Sequence, residues 1–222
     1  MWKEYVQPIV FVFADAPLYP GRNKTSFATS QYVTTHWLEI QDWVHQQLGY
    51  TFALMTPMNV AANPSAIDVE GSTLVGNQAE YTQHSIFKEL YLRNIIDLAN
   101  HNILYYVHTW GPNPDMVSIG CYDGKAWGFD TDAGRCMTQP GGLGLLDICE
   151  LSYWEVVSGY GAWSNHLVKG ACLHELGHGM AALPDGKSGD EDIMWSWWKW
   201  PKTFFTDEQK MKLLKSRWMW IK

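Results

Sequence analysis

The chain has 222 residues, 46% of them hydrophobic and 18% charged, enough for one substantial core and far from the composition of a disordered chain. A formal net charge of −7, with no Lys/Arg run, excludes nucleic-acid binding driven by phosphate contacts. No apolar stretch approaches the length that spans a bilayer.

Met1 to Tyr5 has no apolar h-region and does not read as a signal peptide. Ile9 to Ala14 is a continuous apolar run, expected as a strand buried on both faces. A loop follows, with Pro17, Pro20 and Gly21. Ser30 is placed to cap a helix that runs to Leu48, with Gly49 as its stop. On it Val33, Trp37, Ile40, Val44 and Leu48 form one apolar stripe. His36 and His45 are not four apart, so they make no zinc pair and read as surface or satisfied histidines.

Thr51 to Met55 is the second expected strand, parallel to the first through the helical crossover. Residues 59 to 82 read as a long surface loop. A second helix is expected from Ser85 to His101, with His84 and His101 at its ends. Strands are expected at Ile103–Val107 and Val117–Cys121. Asp123, Asp130 and Asp132 follow; Asp130-Thr131-Asp132 is a candidate Ca²⁺ contributor, although the pattern is not an EF-hand and a solvated turn is the competing reading. Gly134 to Gly144 is turn-rich and reads as a cleft rim. Residues 147 to 161 give no clear pattern. Neighbour pairing of the four cysteines predicts disulfides Cys121–Cys136 and Cys149–Cys172, four reduced thiols being the alternative. Those bridges and the sequon Asn23-Lys24-Thr25 point towards a secreted protein.

The most informative stretch is Cys172-Leu173-His174-Glu175-Leu176-Gly177-His178-Gly179-Met180. Two histidines four apart on a helix project from one face, and together they can hold one Zn²⁺ while Glu175 reaches a water beside it. No histidine follows His178, so a third ligand must be a carboxylate: Asp185, or else Asp190, Glu191 or Asp192. Met194 follows, then Trp195, Trp197, Trp198 and Trp200, part of a high total of 13 Trp; the first three are candidate walls of a substrate cleft. Thr206 and Gln209 form a capping box for a last helix, expected to carry Met211, Leu214 and Trp218 on one stripe.

His174, Glu175, His178, Asp185 and Met194 together resemble the active-site segment of the metzincin zinc metallopeptidases, most closely the snapalysin type with Asp as third ligand. The resemblance covers roughly residues 164 to 200. It implies an α+β zincin: a mixed twisted sheet with two packing helices, an active-site helix and a small C-terminal part with one helix. The whole of 1–222 would be one catalytic domain, its upper part about 1–180 and its lower part about 181–222. It implies a zinc-dependent endopeptidase with Glu175 as general base, His174, His178 and Asp185 as ligands, and Met194 in a turn beneath the metal. The partner would be a protein or peptide substrate and the chain a monomer. Two departures stand out. The clan's usual glycine three residues after the second His is Ala181, with Gly179 a candidate for the bend, and the usual ligand position is Pro184, one before Asp185. Competing readings are a gluzincin with Glu208 as ligand, a glycan- or peptide-binding protein using the Trp cluster, and a zinc hydrolase of a non-peptide amide.

Overall fold

A computed structural model describes residues 4–15, 31–67, 71–77, 80–81, 83–97, 102–110, 121–122, 142–147 and 161–220. The sequon at 23–25, Ser30, His84, His101, the acidic group Asp123, Asp130 and Asp132, and Cys136 and Cys149 lie outside the described residues or have undescribed side chains.

In chain order the elements are β1 (Tyr5–Val12), α1 (Gln31–Leu48), β2 (Thr51–Phe52), β3 (Met58–Ala61), α2 (Gln83–Leu92), β4 (Ile103–Trp110), β5 (Cys121–Tyr122), β6 (Gly142–Asp147), α3 (Gly161–Ala181), α4 (Ile193–Ser196), a 3₁₀ turn (Trp197–Lys199), α5 (Asp207–Lys215) and β7 (Met219–Trp220). The main sheet runs β3-β1-β4-β6-β5. Its first four strands are parallel and β5 is antiparallel at the edge, so the fold is mixed α+β. No described helix is long and apolar enough to cross a membrane.

β1 is buried along nearly its whole length because both faces of the sheet are covered. Its side chains alternate. Val6, Val10 and Val12 pack with Trp37 and Ile40 of α1 and with Leu173, Leu176 and Met180 of α3. Ile9 and Phe11, with Phe13 just beyond, pack with Ile86 and Leu90 of α2 and with Tyr81. The two expected packing helices therefore lie on opposite faces.

Several boundaries differ from the sequence reading. The parallel neighbours of β1 in the sheet are β4 and β3, the latter running from Met58 into the expected surface loop; of the expected second strand, Leu54 forms a parallel bridge with Val6, while Thr51 and Phe52 pair antiparallel with Trp220 and Met219. That connection is not merely surface: Ala62, Ala66, Leu74 and Tyr81 are buried. Gly49 does end α1, at φ 71° with its N–H on the His45 carbonyl at 2.7 Å. α2 stops at Leu92, nine residues before His101, where Asn94 takes a left-handed φ of 53°. Strand β6 falls in the turn-rich stretch and the unassigned residues after it. The capping box on α5 is present in both directions, with Thr206 N–H donating to Gln209 Oε1 at 2.9 Å and Gln209 N–H to Thr206 Oγ1 at 3.3 Å. The buried residue of that helix is Leu213, with Trp218 beyond it, whereas Met211 and Leu214 are exposed. Cys172 is a free, fully buried thiol, its Sγ 3.9 Å from His36 Nε2 in the core between α3 and α1, so the expected Cys149–Cys172 bridge is not formed.

Candidate metal centre

The centre is built on α3, whose described side chains from Lys169 to Met180 are nearly all buried, packed against β4, α1, the 3₁₀ turn and α5. Three glycines permit the contacts. A Cβ on Gly170 would sit 1.9 Å from Trp197 O, one on Gly177 2.5 Å from Met194 Sδ, and one on Gly179 2.9 Å from Leu104 Cδ1. Met194 itself is completely buried and lies directly against the helix turn between the two histidines. Lys169, buried beside Gly170, pairs with Glu39 of α1 and stands 5.4 Å from the Trp200 ring, fixing the helix laterally.

Each histidine is oriented through Nδ1. His178 Nδ1 meets Leu183 O at 2.6 Å and His174 Nδ1 meets Ile193 O at 3.4 Å. A carbonyl can only accept, so these contacts place the proton on Nδ1 and leave the Nε2 lone pairs free. The two Nε2 atoms then face each other at 3.0 Å, rings nearly perpendicular. Asp185 Oδ1 is 3.2 Å from both. Three electron-pair donors thus form a near-equilateral triangle, an arrangement that repels itself unless a proton or cation lies among them. Tetrahedral zinc at about 2.0–2.1 Å sets its ligand atoms about 3.4 Å apart, so the donor set fits that ion with a small expansion.

Glu175 completes the group. The ligand atoms of His174, Glu175 and His178 lie within 4.8 Å of one another. Glu175 Oε1 is 3.9 Å from His174 Nε2, against 3.2 Å for Asp185 Oδ1. Glu175 is 6% exposed, and its Oε2 has no hydrogen-bond partner among the described residues. Burial raises its pKa to about 7, with the Asp185 charge adding to the rise and His174 opposing it. Burial lowers His178, helped by His174. For His174 burial also works downward, but the bond to Asp185 and the Glu175 charge outweigh it and the group ends raised. The His174 contact, above all, holds Asp185 low.

The other acidic candidates are not brought to the histidines. Asp192 caps α4 by accepting from Met194 N–H at 2.8 Å. Asp190 accepts from Lys187 N–H at 2.7 Å within its own turn. Glu191 is exposed. Glu208, exposed on α5, pairs with Lys212 at 2.8 Å. Trp195 and Trp197 are half-buried and Trp198 is exposed; Trp198 meets both of the others edge to face at 6.0 and 5.7 Å.

The bend after the motif is not at Gly179. The helix continues to Ala181, and Ala182 turns the chain at φ 48°. Its N–H stays on His178 O at 2.9 Å, and Leu183 N–H reaches Gly177 O at 3.2 Å. The turn lies one residue later than in the resembled pattern, and so does the carboxylate. Sequence reading overlooked the close-approach glycines Gly170 and Gly177; the small residue inside H-E-L-G-H was the available signal.

No family model matches the chain, and no curated protein matches it. Among solved structures it is similar to a zinc-dependent peptidase from Methanocorpusculum labreanum (strain Z), at 10% identity and a TM-score of 0.43, over 93% of this chain and 99% of that one.

Proposed function

We propose that this chain is a zinc-dependent endopeptidase of the metzincin kind. The observation that carries the reading is the convergence of His174 Nε2, His178 Nε2 and Asp185 Oδ1 at 3.0–3.2 Å beside a buried carboxylate with an unpartnered oxygen. His174, His178 and Asp185 would hold the metal. Zinc, when bound, supplies Lewis acidity, acidifying water and polarising a carbonyl oxygen.

The remaining work belongs to the chain. The Leu183 and Ile193 carbonyls hold both imidazoles in the tautomer that presents Nε2. Glu175 takes a proton from the attacking water and hands it to the departing amine. A carboxyl poised near neutrality suits both transfers. Met194, packed against Gly177, supports the helix turn that carries the histidines. Trp198, the exposed ring of the cluster, is a wall for an apolar or aromatic substrate side chain.

The test begins with metal analysis of protein reconstituted with zinc. About one zinc per chain, lost in His178→Ala and Asp185→Ala, is expected. Glu175→Gln should keep the zinc and lower peptide cleavage by about 10²–10⁴-fold, the usual worth of a general base. Undiminished cleavage in Glu175→Gln would overturn the proposal.

A further inference from the structure

His174 and Asp185 belong to different parts of the chain, yet both are held through one short stretch of backbone, Ile193-Met194. His174 Nδ1 meets Ile193 O at 3.4 Å. Met194 O accepts from the N–H of Gly186, the residue after Asp185, at 2.9 Å. Two consecutive carbonyls thus serve two of the three metal-ligand candidates. Both of those residues need the help. The orienting contact of His174 is long beside the 2.6 Å contact of His178 with Leu183 O. The Asp185 side chain is 52% exposed, so packing does little to fix it.

What aims those carbonyls is a side chain outside the centre. Asp192 is 5% exposed, and its Oδ1 accepts from Met194 N–H at 2.8 Å. That N–H and the Ile193 carbonyl are the two ends of one peptide unit, which is planar and trans, so they point in opposite directions. Asp192 grips one end of the plane, and His174 rests on the other. Ile193 and Met194 are completely buried, so water cannot take over an N–H that loses its acceptor. Ile193 N–H is anchored separately, on Phe204 O at 2.8 Å. Without the Asp192 oxygen the 193–194 plane could turn between that anchor and the contact of the Met194 side chain with Gly177.

We propose that Asp192 is a positioning residue of the metal centre: by gripping the 193–194 peptide unit it aims the Ile193 carbonyl that orients His174, and seats the Met194 carbonyl that holds the chain beside Asp185. The inference rests on the zinc centre proposed above. Asp192 does not touch the histidines and donates nothing to the metal. Its work is geometric, and it depends on an acceptor oxygen at one place, not on a negative charge. Groups that orient metal ligands in this way are commonly worth about 10- to 100-fold in metal affinity.

The experiment measures zinc affinity of the full chain by competition with a chromophoric chelator, and the visible bands of the Co²⁺-loaded chain, which report ligand geometry. Asp192→Ala should bind zinc about 10- to 100-fold more weakly and shift the Co²⁺ bands. Two further variants separate placement from charge. Asp192→Asn loses the charge but keeps Oδ1, and should stay within about twofold of wild type, as Asn caps as well as Asp does. Asp192→Glu keeps the charge but carries the carboxylate past the Met194 N–H, and should lose affinity as Asp192→Ala does; it also serves where Asp192→Ala does not fold. Glu89→Ala, on the opposite face of the sheet, controls for lost stability and should leave zinc affinity within about twofold. Wild-type affinity in Asp192→Ala, loss in Asp192→Asn with retention in Asp192→Glu, or an equal loss in Glu89→Ala would each overturn the assignment while the zinc centre stands. A wild-type chain that binds no zinc would remove the centre, and this inference with it.

Discussion

Two glutamates are buried on helices that cover opposite faces of the same sheet, and their surroundings could hardly differ more. Glu89 on α2 is 4% exposed and fully engaged: its carboxylate accepts from Tyr81 OH at 2.6 Å, from Asn63 N–H at 2.8 Å and from Arg93 Nη1 at 2.6 Å. Burial first, and then Glu89 beside it, hold the Tyr81 phenol far above its usual range, so it remains a donor. Arg93 reaches on to Ala61 O at 2.7 Å, tying α2 to the end of β3. Glu175 on α3 is buried to the same degree and has one oxygen with no partner among the described residues. A buried carboxylate that is saturated with donors is scaffold. One left short of donors is destabilising in itself, and that cost is explained if the group exists to take and give protons.

The comparison can be broken by substitution. The largest stability effect is expected at Glu89. Glu89→Ala strips Arg93 and Tyr81 of their shared partner and should cost about 3 kcal/mol by urea unfolding, the lower end for a broken buried pair because Arg93 is 37% exposed. Zinc content should be unchanged. A loss below about 0.5 kcal/mol would show that the network is not scaffold.

Glu175 should behave oppositely in chelator-treated protein. Its folded pKa of about 7 lies above the ordinary 4.5, so the folded state holds its proton more tightly. The resulting stability is fully present below about pH 4.5 and is lost as pH rises through about 7. His178, shifted downward, contributes with the opposite slope, so the clean quantity is the difference between wild type and Glu175→Gln. That variant should unfold at higher urea than wild type at pH 8, by up to about 3 kcal/mol, and the gap should narrow steadily below about pH 7 and close only below about pH 4.5. A gap independent of pH would mean that Glu175 does not titrate in this window.

The smallest effect sharpens the boundary of the site. Ala182 sits at φ 48°, where a side chain costs about 1–2 kcal/mol and glycine costs little. Ala182→Gly should therefore stabilise the chain by up to about 1 kcal/mol, the flexibility gained in the unfolded chain offsetting part of the relief. Thermal unfolding checks this, and a lower midpoint would contradict it.

The motif was legible because its chemistry is local. Two histidines four apart on a helix need no tertiary information to share a face, and the capping box at Thr206 is equally local. Asp185 was only one of four acidic candidates, because which carboxylate comes within 3.2 Å of both imidazoles depends on where the helix stops, and the chain turns at Ala182. β3 was hidden because Met58–Ala61 is four residues long between two prolines and is held by pairing with β1, not by its own propensity. β6, reading Gly-Leu-Gly-Leu-Leu-Asp, is rich in the residue that most often marks turns, and only its ladder with β4 makes it a strand. The stripe on α5 was misassigned by one position, since Met211 and Leu214 look as apolar as Leu213 until the neighbouring elements are in place.

Gly170 and Gly177 lie seven residues apart, hence on one side of the motif helix, each at a contact that no larger residue can enter without moving its neighbour. This has a consequence for mutational tolerance. In a saturation library scored for abundance alone, with activity ignored, these two positions should be intolerant while His174 and His178 accept substitutions more readily. Scored for turnover, all four should become invariant. The steric and chemical demands on the helix are thus interleaved in sequence yet separable by the choice of selection, and the glycines would record the history of the fold while the histidines record the history of its use.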